Sequence, residues 1–426
     1  SIPERGNVGF ISQSGALGEA ILADAAGADL GVAMFVSMGN KTDVSGNDLL
    51  EYWEDNPDVE VILMYLESFG SPQRFTKLAR RVTRKKPVIT VKAGRTAAGA
   101  RAASSHTGSI VGLDIAVESL LEQCGVLRVS TMHELFVKAT ALANQPLPRG
   151  KRIAIVTNAG GPGILCTDTC IGAGLELAEL SASTIEGLRG ALPPEASISN
   201  PIDMIASADA GRYRAALDLV KRDPGVDGII AIFVSPIMID AYEVAQAIAG
   251  AADGEKPILS VFMGKQRSEE GADLLRDRHV PLYRFPEEAA QAMHAMCRYR
   301  TLREAPQGEE VRFEVDRDRA ARAIESARDR GETQLPLSAV AEILEAYGFP
   351  LAPSRTVATT AEAIAASIEL GYPVVLKIES DVISHKTDVG GVRVDLRNAD
   401  EVGTAFGEMT GRLRAKDPDL RVQVQK

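Results

Sequence analysis

An internal repeat constrains this chain more than any other feature. The segment VGFISQSGALGEAI from Val8 and the segment IAIVTNAGGPGILC from Ile153 share one plan: an apolar run, a glycine turn and a helical stretch. VEVILMYLES from Val59 matches VDGIIAIFVS from Val226. KPVITVKAGR from Lys86 matches KPILSVFMGK from Lys256, so that Lys-Pro and the closing Gly-Arg or Gly-Lys coincide. LRVSTMHELF from Leu127 matches LYRFPEEAAQ from Leu282, a short strand and a helix that end each half. Continuous Val/Ile runs alternating with helical stretches predict parallel strands covered on both faces. Each half is therefore expected to be a doubly wound α/β domain, with ligands at the carboxyl ends of its strands.

The fold expected for each half is flavodoxin-like, and both glycine turns fall at those carboxyl ends. Ser12, Gln13, Ser14 and Gly15 form the first turn; Asn158, Gly160 and Gly161 belong to the second. Free backbone N–H groups and the positive end of a helix dipole suit a phosphate there. The same pattern also serves as a plain connection from strand to helix. The halves differ in one stretch. AAGARAASSHTGSIVG, Ala97 to Gly112, sets His106 among small residues after Gly94-Arg95. It reads either as a flexible surface loop with an incidental histidine or as a carrier of a transferred group. Half two has QRSEEGADLLRDR from Gln266 instead, which reads as a short helix.

A polar stretch follows, from Arg303 to Leu335, with a charged helix from Asp316 to Arg330 stopped by Gly331. A third domain begins near Leu335. Ser338 is expected to cap a helix closed by Gly348. Then come a strand from Ser354, a helix from Thr360 to Leu370, and GYPVVLKI, an apolar strand holding Lys377. A lysine in a buried strand needs an anionic partner, either a nucleotide phosphate or an Asp or Glu of the chain. SDVISHKTDVGGV follows, a compact polar turn that either contacts phosphate or reverses the chain. The expected boundaries are 1–147, 148–303, a linker 304–334, and 335–426.

The net charge of −11 argues against nucleic acid or an anionic membrane as the main partner. With no apolar run of spanning length and no signal peptide at the start, a cytoplasmic protein is expected. Cys124, Cys166, Cys170 and Cys297 lack the companions of a metal set and are expected to be buried thiols. The chain opens on Ser1 close to a strand and closes on an alternating segment, Arg421 to Lys426, so a fragment is expected.

Taken in order, SQSGALG, KAGR, SHTGS, NAGGPG, YPVVLKI and SHKTDVGGV resemble the NDP-forming acyl-CoA synthetases, the ADP-forming acetate–CoA ligases of the succinyl-CoA synthetase superfamily. The resemblance covers essentially the whole chain. It implies two tandem flavodoxin-like CoA-ligase domains followed by the first part of an ATP-grasp domain. A preceding CoA-binding Rossmann domain and the metal-binding half of the ATP-grasp domain are missing by comparison. By motif, His106 matches the histidine phosphorylated in turnover and Glu67 the carboxylate that holds its imidazole. His385 matches a second, relaying histidine, and Lys377 the nucleotide lysine. The two glycine turns match helix ends that face the phosphohistidine. The implied activity is an acid–thiol ligase making acyl-CoA from a carboxylate (acetate by default), CoA and ATP, with ADP, phosphate and Mg²⁺. The fragment alone is expected not to turn over, and the full-length protein to be a homo-oligomer. Arg95 and Arg101 either hold phosphate or CoA or are solvated loop cations. His133, His279 and His294 lie outside any motif and read as structural. Two other readings compete: the regulatory body of a fused protein acetyltransferase, and a CoA- or nucleotide-binding scaffold without catalysis.

Overall fold

The apolar runs become strands in the computed structural model. It describes residues 3–28, 30–38, 43–96, 114–236, 238–264, 269–306, 308, 311, 313–380, 382–383 and 386–426. Residues 1–307 form one unit and 308–426 a second.

In the first unit, β1 (Val8–Ser12), β2 (Val32–Ser37), β3 (Val61–Leu66), β4 (Val88–Lys92) and β5 (Leu127–Val129) make a parallel sheet in the order β2-β1-β3-β4-β5. Half two repeats the order. Here β6 (Arg152–Thr157), β7 (Glu176–Leu177), β8 (Ile202–Asp203), β9 (Gly228–Val234), β10 (Ile258–Met263) and β11 (Leu282–Tyr283) run β11-β10-β9-β6-β7. The short β8 continues along the β6 edge beyond β7. Both faces of the first sheet are apolar, as doubly wound strands require. Phe10, Leu63 and Ile89 point into one core, and Ile11, Ile62 and Val88 into the other.

Two helices join the sheets. From Met132–Asn144, Leu135, Phe136 and Ala139 enter the core of the first sheet, while Val137 and Ala141 enter that of the second. From Pro286–Glu304, Ala289, Met293 and Met296 pack on the second sheet, while Ala295 and Tyr299 pack on the first. The expected pair of domains therefore shares its core. Polar contacts reinforce the exchange. The Gln145 amide accepts from Ile258 N–H at 2.8 Å and donates to the His279 carbonyl. Arg84 donates to the Arg303 carbonyl, and His133 Nε2 meets Glu288 Oε1 at 3.0 Å.

The repeated Lys-Pro has a structural cause. Lys86 Nζ donates to the carbonyls of Trp53 and Asn56, both at 2.6 Å, where the helix Gly46–Glu54 ends. Lys256 Nζ donates to the Asp223 carbonyl at 2.6 Å, the C-cap of Ala210–Arg222. An ammonium satisfies terminal carbonyls and complements the negative end of the dipole. Burial pushes both lysines below their ordinary value.

In the second unit, β12 (Ser354–Val357), β13 (Val374–Glu379), β14 (Val392–Leu396) and β15 (Arg421–Gln425) form an antiparallel sheet in the order β12-β15-β13-β14. Helices Thr360–Leu370 and Ala399–Leu413 bury Val374, Leu376, Ile378, Val422 and Val424 with Phe406 and Met409. The charged helix is Arg317–Asp329, capped by Asp316 and packed on Leu337–Ala346, with Ala320, Ala323 and Ala327 buried and Arg319 paired with Glu342 and Glu345. Ser338 does not cap that second helix. Pro336 holds the N-cap, because its fixed φ of −63° and extended ψ of 155° enter a helix without strain. Among the described residues, no helix is long and apolar enough to cross a membrane.

Replacing Lys86 by Met leaves two helix-end carbonyls without their donor. Lys86→Met is expected to lower unfolding free energy by about 1–3 kcal/mol in urea titration. A second test concerns Asp48, whose carboxylate accepts from the Ser45 hydroxyl (2.7 Å) and N–H (2.8 Å) and pairs with Arg74 at 2.7 Å. The Ser45 hydroxyl, its N–H and then Arg74 hold Asp48 at about 2, below the ordinary 3.8. A depressed folded value means stability that is complete above the ordinary value and lost as pH falls through the folded one. The stability gap between wild type and Asp48→Asn, followed by thermal unfolding, should hold steady above pH 3.8 and shrink as pH falls toward about 2.

Candidate functional site

The carboxyl ends of β1 and β3 build the site in half one. β1 leaves the sheet by a side-chain turn: Ser14 N–H donates to Ser12 Oγ at 3.2 Å, and Ser12 Oγ donates to the Ser14 carbonyl at 2.9 Å. Thr157 repeats this with Ala159, at 3.0 Å in both directions. A hydroxyl that satisfies both backbone groups at the turn lets the chain swing from strand into helix. The helices then begin at Gly15 and Gly160, and neither N-cap, Ser14 or Ala159, makes a side-chain cap. First-turn N–H groups are thereby left for an anion. Gly18 and Gly163 bring each helix close to its sheet; an added Cβ would come within 3.2 Å of Phe35 and 3.1 Å of Thr157.

Of the side chains expected to bind phosphate, those of Ser12, Gln13 and Asn158 are engaged inside the chain. Ser12 and Thr157 are fully buried in their turns, and Asn158 is buried as well. Gln13 ties the end of β1 to the end of β3, and Asn158 ties the end of β6 to the end of β9. Gln13 Oε1 accepts from Glu67 N–H (2.8 Å) and Ser68 N–H (2.9 Å), and its Nε2 donates to the Ser68 carbonyl at 2.9 Å. Asn158 Oδ1 accepts from Val234 N–H at 2.8 Å, and its Nδ2 donates to the Val234 carbonyl at 2.9 Å. These contacts align Glu67 with Val234 across the repeat. Glu67 is half-buried and forms no ion pair with a described residue. Burial, and then the Glu67 charge, pushes the Tyr65 phenol up.

The two helix starts are not equivalent. A Cβ at Gly160 would lie 3.1 Å from Asp203 Oδ2, so a carboxylate of β8 stands beside the second helix start. A Cβ at Gly15 would meet only Ser37 Oγ, at 3.9 Å, among the described residues. An acidic neighbour offsets the dipole, so the second helix start attracts an anion less than the first. Half one shows no strand matching β8 among its described residues, and no repeat pattern singled Asp203 out in the sequence. A Cβ at Gly161 would meet nothing within 4 Å among the described residues.

His106 and His385 lie outside the described residues, as does Arg101; Arg95 is exposed. In the second unit, Lys377 does not sit in a strand buried on both faces. β13 alternates, with Val374, Leu376 and Ile378 under the helices and Lys377 on the opposite, half-open face. Its ammonium donates to the Gln425 amide oxygen and forms no ion pair with a described residue. A neutral partner leaves the charge available to an anion. The turn after β13 closes on Gly391, whose N–H donates to the Lys386 carbonyl at 2.7 Å and whose carbonyl accepts from Ile378 N–H at 2.9 Å. All four cysteines are buried free thiols.

Alanine at Gly391 would push its Cβ to 2.6 Å from Ile378 Cδ1 and 2.8 Å from the Lys386 carbonyl oxygen. Gly391→Ala is expected to destabilise the second unit by about 1–3 kcal/mol, read as a lower thermal midpoint. An unchanged midpoint would show that the turn yields freely.

Comparison with known proteins follows the same three parts. A succinyl-CoA ligase like flavodoxin domain matches residues 5–142, a Ligase-CoA domain matches 153–307, and an ATP-grasp domain matches 326–426. The 4-hydroxybutyrate–CoA ligase [ADP-forming] of Nitrosopumilus maritimus is 37% identical over 407 residues, 95% of this chain and 58% of that protein. Acetate–CoA ligase [ADP-forming] I of Archaeoglobus fulgidus is 33% identical over 422 residues, 99% of this chain and 60% of that one. The chain thus spans about three fifths of these relatives. Among solved structures, dinucleotide forming acetyl-coenzyme A synthetase 1 of Ca. Korarchaeum cryptofilum, in complex with phosphate and ADP, superposes with a TM-score of 0.67 at 36% identity. That match covers 70% of this chain and 66% of the other. With three domain matches in the expected order and relatives along nearly its whole length, the chain belongs to the family of ADP-forming acyl-CoA synthetases.

Proposed function

We propose that the full-length protein is an ADP-forming acyl-CoA synthetase that runs ATP + carboxylate + CoA ⇌ ADP + phosphate + acyl-CoA through a phosphohistidine at His106. One observation carries this reading. The half that bears the His106 segment also bears a carboxylate, Glu67, at a strand end where the other half has Val234. A histidine that must attack phosphorus needs one ring nitrogen unprotonated. A carboxylate accepting from the other N–H fixes that tautomer and steadies the cation that forms.

In the first step an imidazole nitrogen of His106 attacks the γ-phosphorus of ATP. The N–P bond forms, the P–O bond to the β-phosphate breaks and ADP leaves. The other ring nitrogen keeps its proton and donates it in a hydrogen bond to the Glu67 carboxylate. An oxygen of the substrate carboxylate then attacks phosphorus, and the N–P electron pair returns to the ring. The CoA sulfur attacks the resulting acyl phosphate at carbon. The C–O bond breaks, and phosphate departs with the thiol proton. The first-turn N–H groups at Gly15, and at Gly160 and Gly161, would meet phosphoryl oxygens, with Ser12, Gln13, Ser14 and Asn158 shaping those turns. Lys377 would serve the nucleotide, and His385 would relay phosphate on that side. Relatives named for acetate and for 4-hydroxybutyrate support a short aliphatic acid as substrate. Magnesium is assigned to no residue of this chain: among the described residues no group of three or more His, Cys, Asp or Glu could hold a metal.

Full-length protein incubated with Mg²⁺ and γ-phosphate-labelled ATP should acquire acid-labile label, and His106→Ala should abolish it. CoA-dependent phosphate release with a panel of short acids then identifies the substrate. Protein that binds ATP and CoA yet never takes up label would be a scaffold instead.

A further inference from the structure

We propose that Gln13 is a positioning residue that sets where Glu67 presents its carboxylate, through the one methylene by which it is longer than Asn158. The proposal rests on the reading of Glu67 as the partner of His106. The two amides occupy the same turn of the repeat and grip the neighbouring strand differently. Asn158 faces a single residue and takes both its N–H and its carbonyl, as an adjacent strand would. Val234 accordingly stays in the sheet, paired with Met263. Gln13 reaches one residue further. Its Oε1 collects the N–H groups of Glu67 and Ser68 together, and its Nε2 takes the Ser68 carbonyl.

Successive N–H groups of an extended strand point to opposite edges, so both cannot meet one oxygen without a bend. Two neighbouring N–H groups converging on one acceptor form a nest, which exists only in turned backbone. β3 therefore ends at Leu66, with a bend at Glu67, whereas β9 runs through Val234. The bend takes Glu67 out of the alternation of the sheet, where its side chain would have lain against the covering helices. The Gln13 backbone is anchored as well, donating to the Tyr65 carbonyl at 3.1 Å. Gln13 thus ties the start of the first helix to the turn that carries the carboxylate.

The test exchanges the length of the side chain for that used in half two. In the full-length protein, Gln13→Asn keeps an amide already accommodated at the equivalent turn. It is expected to fold with a thermal midpoint near that of wild type and to phosphorylate His106 about ten- to a hundred-fold more slowly, with KM for ATP, acid and CoA unchanged. The pH profile should also move. Without a carboxylate the imidazole loses the partner that raises its pKa, so the acid limb of the phosphorylation rate shifts to lower pH. Gln13→Glu keeps the length and both acceptor contacts, and is expected to be less impaired than Gln13→Asn. A residue that merely stabilises the fold gives the reverse order, since a charge is harder to accommodate there than a shorter amide. The proposal is overturned if Gln13→Asn keeps the wild-type rate and profile, or if Gln13→Glu is the more impaired. Glu67→Gln, assayed alongside, separates the two levels. A wild-type rate and profile in Glu67→Gln would overturn the reading of Glu67 and the proposal with it. A loss in Glu67→Gln beside an unaffected Gln13→Asn would overturn the proposal alone.

Discussion

The first unit depends on two helices that belong to both of its sheets. Met132–Asn144 and Pro286–Glu304 each put apolar side chains into the cores of both halves. Burying a large apolar side chain stabilises by roughly 1.5–3 kcal/mol, so Phe136, Tyr299, Met293 and Met296 hold the sheets together strongly. A shared core also restrains motion, because packed interiors give way in discrete steps and not by continuous sliding. The carboxyl ends of the two sheets are thereby held in one body. Chemistry that needs a helix end and a strand-end carboxylate held in place is served by such a body.

The repeat separates what the fold needs from what each half adds. Lysine on helix-end carbonyls, hydroxyl turns after the first strand and an amide brace recur in both halves. Each satisfies buried backbone groups that any copy of the fold would otherwise leave unpaired. The differences concentrate at the carboxyl ends: Gln13 against Asn158, Glu67 against Val234, and an acidic Asp203 beside one helix start. A further difference lies at a helix end. Gly125 takes the left-handed conformation after one helix at φ 73°, and His279 takes it after Glu269–Asp277 at φ 55°. Glycine adopts that backbone without strain, whereas histidine does not. The His279 ring meets Asn144 Oδ1 at 3.2 Å, and its carbonyl accepts from Gln145, so contacts between the halves offset the strain.

Much of this was legible in the sequence, because apolar periodicity reports burial and the repeat reports duplication. The Val/Ile runs of β1, β3, β4, β6, β9 and β10 mark strands covered on both sides, and the matching Lys-Pro pairs align the halves. Period alone failed at β13. VVLKIE reads as a buried run, yet it alternates, since Val375 is apolar on the face that Lys377 shares. The amide braces were not legible either. Gln13 looked like a phosphate ligand because its partners stand 54 and 55 positions away, and sequence spacing does not show which polar groups are already satisfied. The sharing of two helices between sheets was hidden for a similar reason. A helix buried on several sides carries apolar residues all round, and its pattern does not say which core each one enters.

The two kinds of sheet also decide from where a ligand can approach. A parallel sheet with helices on both faces leaves its strand ends as the place where side chains and open helix starts meet solvent. That is where Glu67 and the turn at Gly15 stand. The antiparallel sheet of the second unit buries Val374, Leu376 and Ile378 under Thr360–Leu370 and Ala399–Leu413, and the residues of β13 that alternate with them, Val375, Lys377 and Glu379, are half-buried. Gln423 and Gln425 share the face of Lys377, and so does Glu379, whose carboxylate accepts from the Thr356 hydroxyl at 3.1 Å and forms no ion pair with the lysine. Replacing Gln425 by glutamate would set an anion where the Lys377 ammonium now meets a neutral oxygen, and would thereby cancel its charge at that contact. The neutral amide of Gln425 thus satisfies a donor of Lys377 without cancelling its charge.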